Sequence, residues 1–253
     1  MTINTLASVF SELGVARNGD LPSDDDDLVA RQAAVSSALL SVFRGKFCDV
    51  LLPGRKAITF NKNDVIYDVG DRSRTLFFLQ NGFVKVGAIT SSGQEVIYDV
   101  RKQGDVVGEL CASELERPDR AVALQRTDAI SVSFQEIRDI LMTKPDLMSG
   151  MIDVFCRALK EAYAQINTLA SDSIVQRLAK ILVSLAGKVG QQSSSLIEIP
   201  TYLTQEEIAQ MVVARRERIS TALNFLRRQG MVQYTARGHL MVDLRKLESL
   251  SFD

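Results

Sequence analysis

Short apolar runs separated by turn residues occupy the chain from about residue 50 to residue 132. The pairs Asn81-Gly82 and Ser92-Gly93 are typical of tight β-hairpins, which join neighbouring strands. Strands that are this short and this regularly spaced predict a small antiparallel barrel or jelly-roll-like β-roll. Such a roll encloses an inside face, so it can contain a pocket.

A different spacing begins near residue 145, where the apolar positions alternate steps of three and four. This heptad pattern predicts a long helix over residues 145–170 that pairs with its own copy in a second subunit. A helix packed on its own roll is the alternative. The positions on the seam are Ile152, Phe155, Leu159, Ala162, Ile166 and Leu169. A further helix is predicted over residues 173–186, and the loose stretch 187–195 then closes the first domain.

Residues 204–228 have the pattern of two short helices joined by a turn. Thr204 followed by Glu207 has the spacing of a capping box, which marks a helix start. The turn is predicted around Val213 and Ala214. The apolar positions expected to be buried at helical spacing are Ile208, Met211 and Val212 in the first helix, and Ile219, Ala222, Leu223 and Leu226 in the second.

A predicted hairpin follows the second helix. Gly230 is a stop signal, and residues 231–234 and 240–242 have the pattern of two strands around Arg237-Gly238. Two helices, a turn and a hairpin together predict a winged helix-turn-helix. The second helix and the hairpin tip would then present cations and hydrogen-bonding groups to the grooves and phosphates of DNA. An ordinary amphipathic helix pair with a solvated charged face is the alternative.

The candidate DNA-binding residues share an outward position on this unit. Arginine can bind guanine bidentately and glutamate can accept a hydrogen bond from cytosine, so the second helix is the predicted recognition helix. The candidates are Thr204, Arg215, Arg216, Glu217, Arg218, Ser220, Thr221, Asn224, Arg237 and His239.

The predicted organisation is α+β with four parts. Residues 1–48 form a helical extension, residues 49–144 the roll, residues 145–170 the dimerisation helix and residues 171–253 the winged helix-turn-helix. The acidic run at residues 24–27 suits the solvated start of a helix, because anions are favourable at a helix N-terminus.

Charge and composition change this picture only locally. The chain has 253 residues, enough for about two domains, and a net charge of −1, so no global attraction to nucleic acid is expected. Five arginines nevertheless cluster between residues 215 and 228. Clustering matters more than the sum, since screening restricts phosphate attraction to about 8 Å.

The content of reactive residues argues against several classes of protein. Three cysteines without a CxxC pair indicate neither a zinc site nor a disulfide framework, and they suit a reduced, cytoplasmic protein. We see no signal peptide and no run long enough to span a membrane. The lone histidine, His239, and the lack of a nucleophile-with-base motif or phosphate loop leave catalysis unsupported.

The order of these parts and several short sequence motifs resemble the CRP/FNR family of bacterial transcription regulators. The motifs that carry the resemblance are Gly70-Asp71, Asn81-Gly82, Gly93, GDVVGEL at residues 104–110 and ARRERIST at residues 214–221. The resemblance covers about residues 50–242. It implies a homodimer that binds double-stranded DNA at a nearly palindromic site, acts with RNA polymerase, and is controlled by an effector in the roll.

In cyclic-nucleotide-binding members of this family, a GEL sequence followed by an arginine holds the ligand. The corresponding effector-binding residues here are Gly108, Glu109, Leu110, Arg120 and Ala121. Backbone N–H groups and an arginine can neutralise a cyclic phosphate, and a glutamate can accept a ribose hydroxyl. The alternative for Arg120 is a turn arginine that pairs with a nearby acid such as Asp119 or Glu116.

Departures from the family pattern leave the effector open. The loop before Arg120 is longer than the pattern, and Ala121 replaces a serine that contacts phosphate. The helix positions that meet adenine in the family align with Ala162 and Tyr163, and Asn167 or Thr168, about one turn later, is the candidate substitute. Tyr163 and Asn167 are therefore the effector-binding candidates on the helix. A cyclic nucleotide, another small or anionic effector, and no effector are the three possibilities.

Other sensing chemistries of the family need ligands that this sequence lacks. An iron–sulfur cluster needs about four cysteines. A haem usually needs a histidine in the roll, whereas His239 lies in the predicted wing. Cys111 has two interpretations, a redox switch and a buried apolar filler.

The recognition helix also departs from the family. Arg216, Glu217 and Ser220 match, but Thr221 stands where an arginine is usual and Val213 replaces a common glycine. We expect part of the half-site preference to be kept and one base contact to be altered. The competing functional hypothesis is a nucleotide-sensing adaptor that acts through protein partners without DNA.

Overall fold

The computed structural model describes residues 49–112, 116–193, 195–199, 203–235 and 239–252. The predicted helices of residues 1–48 and the acidic run at 24–27 lie outside the described residues. The described part of the first domain contains strands β1 (Ile58–Phe60), β2 (Val65–Tyr67), β3 (Thr75–Asn81), β4 (Phe83–Ile89), β5 (Glu95–Lys102), β6 (Val106–Val107), β7 (Arg120–Ala123) and β8 (Thr127–Ser133).

These strands form two four-stranded antiparallel sheets, with orders β1-β8-β3-β6 and β2-β7-β4-β5. The predicted antiparallel roll is therefore confirmed, as is the hairpin at Ser92-Gly93, which joins β4 to β5. The hairpin predicted at Asn81-Gly82 is wrong, because β3 and β4 belong to different sheets. Gly82 has φ +88° and lies against Thr127, so the chain turns there from one sheet to the other.

Strand β3 shows how the alternation of side chains builds two cores. Phe77 and Leu79 lie in one cluster, together with Val84 of β4 in the other sheet and Val107 of the neighbouring strand β6. The intervening side chains of β3 point the other way, since neighbouring residues of a strand face opposite sides. These side chains, Leu76 and Phe78, meet helices α1 (Phe134–Thr143) and α2 (Pro145–Ser171) through Ile137, Leu141 and Leu147.

The connection between the two domains is more regular than predicted. Helix α3 (Ile174–Val189) starts at a capping box formed by Ser173 and Gln176, as the Ser173 start predicted, but it continues one turn further. Strand β9 (Gln191–Ser193) follows it directly, so the prediction of a loose stretch there is wrong. Backbone pairing with the next strand, β10 (Leu196–Ile199), stabilises this polar segment in spite of its turn-like composition.

The C-terminal domain completes the predicted winged helix-turn-helix. It continues with α4 (Gln205–Val212), α5 (Arg216–Arg228), β11 (Val232–Tyr234), β12 (Leu240–Val242) and α6 (Leu244–Phe252). The wing sheet has the order β11-β12-β10-β9, so β9 and β10 extend the hairpin predicted from sequence. Leu178 and Leu182 of α3 share one core with Ile208, Ile219 and Leu226 of the helix-turn-helix.

The same core reaches the roll. Val100 of β5 and Leu124, which follows β7, are buried in it, and Phe83 lies against it. The sensor-like roll and the helix-turn-helix of one chain are thus in direct contact. None of the described helices combines the length and hydrophobicity that crossing a bilayer requires.

Candidate functional site

The start of the helix-turn-helix is set by the capping box predicted from sequence. Thr204 Oγ1 accepts a hydrogen bond from the Glu207 backbone N–H at 3.2 Å, and Glu207 Oε2 accepts one from the Thr204 backbone N–H at 2.8 Å. Both backbone donors would otherwise be unpaired at the first turn of α4. The capping box thereby fixes the residue at which the first helix begins.

The turn between the helices adopts a backbone conformation that its residue disfavours. Val213 has φ 55° and ψ 55°, which is the left-handed region, and β-branched residues rarely occupy it. Three hydrogen bonds hold the turn. The Val213 and Ala214 N–H groups both donate to Ala209 O, the latter at 3.0 Å, and Arg177 Nη1 donates to Val212 O at 3.1 Å. The angle between α4 and α5 is therefore determined by packing and hydrogen bonding.

Helix α5 divides into a buried and an exposed side, as its spacing predicted. Ile219, Ala222, Leu223 and Leu226 are buried. The opposite side is exposed at Arg215, Arg216, Glu217, Arg218, Thr221, Asn224 and Arg228, and Ser220 is half-buried. Within the described residues, none of the five arginines from 215 to 228 forms an ion pair. Their charge is available to an external anion.

Two details of this face were not foreseen. Thr221 Oγ1 donates to Glu217 O at 3.0 Å, so the hydroxyl proton is used within the helix. The methyl group and the acceptor lone pairs of the oxygen are left for an outside contact. Phe225, one helical turn later, is 44% exposed. An apolar side chain beside polar groups suits the methyl group of thymine. The helical spacing from Thr221 to Phe225 was the available sequence signal.

The predicted wing contacts are only partly described. Arg237 lies outside the described residues. The His239 ring Nδ1 bonds to Glu198 Oε1 of β10, and both side chains are about 30% exposed. Glu198 thus occupies one ring nitrogen of the histidine that was predicted to contact phosphate.

The cassette in the roll begins with Gly108 in a left-handed conformation, φ +89°, followed by a short 3-10 helix at Glu109–Ala112. Beneath it lies Arg117, which is 2% exposed. Its Nη1 donates to Gly108 O at 3.3 Å, and its Nη2 donates to Thr75 O at 2.5 Å. A Cβ atom at residue 108 would lie only 2.7 Å from Nη1, so the guanidinium fills the space beside the glycine.

An acid and a phenol share this buried space. The Tyr67 hydroxyl donates to Asp119 Oδ2 at 3.0 Å. Burial raises the pKa of Tyr67, and the Asp119 charge raises it further. Burial also raises the pKa of Asp119 above its ordinary value, against the hydrogen bond from Tyr67. Neither Arg117 nor Tyr67 is predicted from the sequence, because neither belongs to the motif.

Arg120, the predicted phosphate ligand, is already paired. Its Nε lies 3.3 Å from Asp68 Oδ1, and its side chain is 19% exposed. An acidic partner was the alternative proposed from sequence, but the acids suggested there were the wrong ones. Glu116 pairs with Arg72 at 2.8 Å, and Asp119 bonds to Tyr67. Ala121 is fully buried in β7, whereas Leu110 is 42% exposed.

Glu109, the predicted ribose acceptor, is also paired within the chain. Arg101 Nη2 donates to Glu109 Oε1 at 3.2 Å. Burial lowers the pKa of Arg101, but nearby acids, led by Glu109 and Asp99, outweigh it and leave that pKa raised. The guanidinium therefore stays charged. Glu109 and Arg120, the two polar residues predicted to bind the effector, each have an intramolecular partner when no effector is bound.

The helix residues proposed for the effector are exposed in one chain. Tyr163 is 59% exposed, and Asn167 is exposed as well. Helix α2 meets the roll nearby, where Gln165 Nε2 donates to Tyr98 O at 3.4 Å. The two candidates thus face outward in a single protomer.

The predicted dimer seam forms an exposed apolar stripe along α2. Its large members are between 38% and 59% exposed, and Ala162 is exposed too. They are Ile152, Phe155, Leu159, Ile166 and Leu169. Solvation of so many aliphatic and aromatic side chains along one helix is unfavourable, which indicates that another surface covers them.

Redox and metal chemistry find little support among the described residues. Cys111 is buried among apolar side chains including Leu76 and Phe78, and burial raises its pKa. The thiolate is the reactive form, so this environment favours the apolar-filler interpretation. No group of three or more His, Cys, Asp or Glu is placed to hold a metal ion within the part of the chain that the structure describes.

Two family models match the chain in the order of its domains. The cyclic nucleotide-binding domain matches residues 57–144, and the Crp-like helix-turn-helix domain matches residues 176–250. The first covers the roll with its cassette, and the second covers the helix-turn-helix and the wing.

Known proteins that are similar in sequence or in structure match most of the chain. The CRP-like cAMP-activated global transcriptional regulator of Mycobacterium tuberculosis is 26% identical over 191 residues, 75% of this chain and 85% of that protein. The global nitrogen regulator of Synechocystis is 26% identical over 202 residues, 79% of this chain and 89% of that protein. The solved structure of TTHA1359 from Thermus thermophilus, a CRP/FNR family transcriptional regulator, has a TM-score of 0.64 and 21% identity, covering 78% and 99% of the two chains.

Proposed function

Since the chain belongs to the CRP/FNR family of transcription regulators, we propose that it binds DNA as a homodimer and is controlled by a small molecule in the roll. The family consists of regulators, not enzymes. The observation that carries the proposal is the exposed face of α5, whose arginines form no ion pair with the other described residues while its apolar face is buried.

The exposed stripe on α2 supports the homodimer. The 27 residues of this helix span about 40 Å at 1.5 Å per residue. A second copy of the same stripe is self-complementary under two-fold symmetry and would cover the apolar side chains of both. Two recognition helices related in this way suit half-sites about 34 Å apart, one turn of DNA.

The cassette supports effector control, although not cyclic nucleotide binding in particular. Arg120 and Glu109 stand at the positions that hold a phosphate and a ribose in the family's pattern. Each is paired with a residue of the chain, Asp68 and Arg101 respectively. An effector must therefore compete with these ion pairs. This favours a small molecule that offers an anion to Arg120 and a hydroxyl group to Glu109.

Selection from a randomised double-stranded DNA library tests the DNA-binding part. We expect enrichment of a nearly palindromic sequence with half-site centres about 10 base pairs apart. Leu159→Glu places a charge on the stripe and should give a monomer by light scattering, with loss of the palindromic preference. Lys160→Glu, at the adjacent position off the stripe, is the matched control. Enrichment of no sequence, or a dimer that survives Leu159→Glu, would contradict the proposal.

A thermal-shift screen tests the effector part. The probes are cyclic mononucleotides and cyclic dinucleotides, which carry both an anion and a hydroxyl group, and 2-oxoglutarate, which is an anion without a hydroxyl group. We expect a stabilising hit that is lost in Arg120→Ala and retained in Arg72→Ala, an arginine that also pairs with an acid but is 81% exposed. A hit that both variants retain would place the guest elsewhere. Contact with RNA polymerase at the promoter belongs to the same proposal and is supported by family membership.

A further inference from the structure

Strand β5 touches three different parts of the molecule through neighbouring residues. The carbonyl of Tyr98 accepts a hydrogen bond from Gln165 of α2 at 3.4 Å. Asp99 Oδ1 accepts one from Lys188 Nζ of α3 at 2.5 Å. Arg101 Nη2 donates to Glu109 of the cassette. One strand of the roll thus contacts the long helix, the DNA-binding domain and the cassette.

The charged members of these contacts form a continuous series. Arg101 Nη2 lies 3.2 Å from Glu109 Oε1, and Arg101 Nε lies 3.2 Å from Asp99 Oδ2. The other oxygen of Asp99 is bonded to Lys188. Acid, base, acid and base therefore alternate from the cassette to the last turn of α3, with side-chain exposures between 19% and 39%. Partial burial keeps such neighbours coupled, because solvent and salt screen them less than exposed charges.

We propose that Arg101 is a positioning residue that connects Glu109 of the cassette to Lys188 of the DNA-binding domain through Asp99. The inference rests on the proposed function only in assuming that a guest engages Glu109. Such a guest shares the Glu109 carboxylate with Arg101, and the guanidinium then interacts more strongly with Asp99. Asp99 in turn holds Lys188 less strongly, which loosens the end of α3 against the roll.

A second contact between the roll and the DNA-binding domain avoids the cassette. Lys85 Nζ of β4 lies 3.5 Å from Glu207 Oε1 at the start of α4 and 3.4 Å from Glu95 Oε1. This contact joins the same two domains but includes neither Glu109 nor Arg101. It provides the matched control, because removing it disturbs the domain contact without interrupting the series.

The experiment is a set of double-mutant cycles on the full-length protein without any guest. Affinity for the DNA selected above is measured by fluorescence anisotropy in Glu109→Gln, Lys188→Met, Lys85→Met and their combinations. We expect Glu109→Gln to change the affinity about fivefold, a common size for coupling between sites, and to have less than about a twofold effect in Lys188→Met. In Lys85→Met the effect of Glu109→Gln should remain. An equal effect of Glu109→Gln in all three backgrounds, including no effect in any, would overturn the proposal.

A second set of variants distinguishes an electrostatic role of Arg101 from a purely structural one. When Arg101 is replaced by Met, the effects of Glu109→Gln and Lys188→Met on DNA affinity should be additive. When Arg101 is replaced by Lys, which keeps the charge, part of the coupling between these two substitutions should remain. Loss of the coupling in Arg101→Lys as completely as in Arg101→Met, at equal stability, would contradict the electrostatic link.

Hydrogen exchange separates this inference from the proposed function. If the wild-type protein selects no DNA, the proposed function fails. The double-mutant cycle of Glu109→Gln and Lys188→Met can still be measured, through the amide exchange rates of residues 185–189 at the end of α3. Glu109→Gln should increase exchange there in the wild type and leave it unchanged in Lys188→Met. Equal exchange in Glu109→Gln and the wild type would overturn the inference by itself.

Discussion

The guanidinium of Arg117 lies over the ring of Tyr67, with 3.9 Å between its Cζ and the ring centroid. The same guanidinium bonds to the backbone carbonyls of Gly108 and Thr75, so it joins the cassette to the wall of the roll. A charged group at 2% exposure is stable only when such partners surround it. Much of the cassette's shape therefore depends on a residue outside the family motif.

We predict that Arg117→Met lowers the free energy of unfolding by about 3 kcal/mol. The change leaves the backbone carbonyls of Gly108 and Thr75 without their donor and removes the positive charge that acts on Asp119. Losses of this kind are typically about 3–5 kcal/mol for a buried charge partner. Urea denaturation measures the effect. Arg72→Met removes an arginine whose side chain is 81% exposed, and it should change stability by no more than about 0.5 kcal/mol. Equal losses in the two variants would refute the special role of Arg117.

A second prediction concerns pH. The pKa of Asp119 is raised in the folded state, chiefly by burial, so folding favours the protonated carboxyl group. Its contribution to stability is therefore fully present below the ordinary pKa of about 4 and is lost as pH rises through the raised value. Asp119→Asn removes this dependence.

Urea unfolding of both proteins across pH 3 to 8 measures the difference. We expect the wild type to lose stability relative to Asp119→Asn as pH increases above about 4, and the difference to level off once Asp119 is ionised in the folded state. Glu136 works in the opposite direction, since its hydrogen bond with Arg55 lowers its pKa to about 2. Glu136 is common to both proteins, so its contribution cancels in the comparison. A constant difference across the range would show that the Asp119 pKa is not raised.

The third prediction tests the turn of the helix-turn-helix. Val213→Gly removes the steric conflict of a β-branched residue at φ 55°, which costs about 1–2 kcal/mol, but it increases the entropy of the unfolded chain. The net expectation is a gain of about 0.5–1 kcal/mol in unfolding free energy, measured by thermal denaturation. Ala214→Gly, at the next position and without a positive φ, should instead lose about 0.5–1 kcal/mol. Destabilisation by both changes would mean that Val213 is not strained.

Sequence reasoning succeeded where local chemistry determines the structure. The capping box at Thr204 and the buried spacing of Ile219 and Leu226 depend on neighbours a few residues apart, so both were predictable. The Asn81-Gly82 hairpin failed because the partner of β3 is the distant strand β8, and a turn pair cannot reveal long-range pairing.

The cassette shows the same limit at the candidate site. The family motif selected Glu109 and Arg120, but their partners Arg101 and Asp68 come from other strands and turns. The sequence does not show that these ion pairs form, because each depends on contacts between distant segments. Asp68 meets Arg120 through the pairing of β2 with β7, and Arg101 of β5 meets Glu109, which follows β6 of the other sheet. Arg117 was missed for the same reason, since only the fold brings Gly108 and Thr75 to either side of it.

The last prediction concerns base recognition by Glu217. This residue is exposed in the first turn of α5, and its carboxylate forms no ion pair with the other described residues, so the side chain is left to contact bases. A carboxylate accepts a hydrogen bond from cytosine N4, and a good base contact contributes about 1–3 kcal/mol of discrimination. Glu217→Gln should therefore reduce preference at one base pair of each half-site by that amount. Glu206→Gln, an equally conservative change at an exposed position in the first turn of α4, should alter affinity for all sequences alike. Competition between the selected site and single-base variants measures both, and an unchanged base preference in Glu217→Gln would remove Glu217 from the recognition surface.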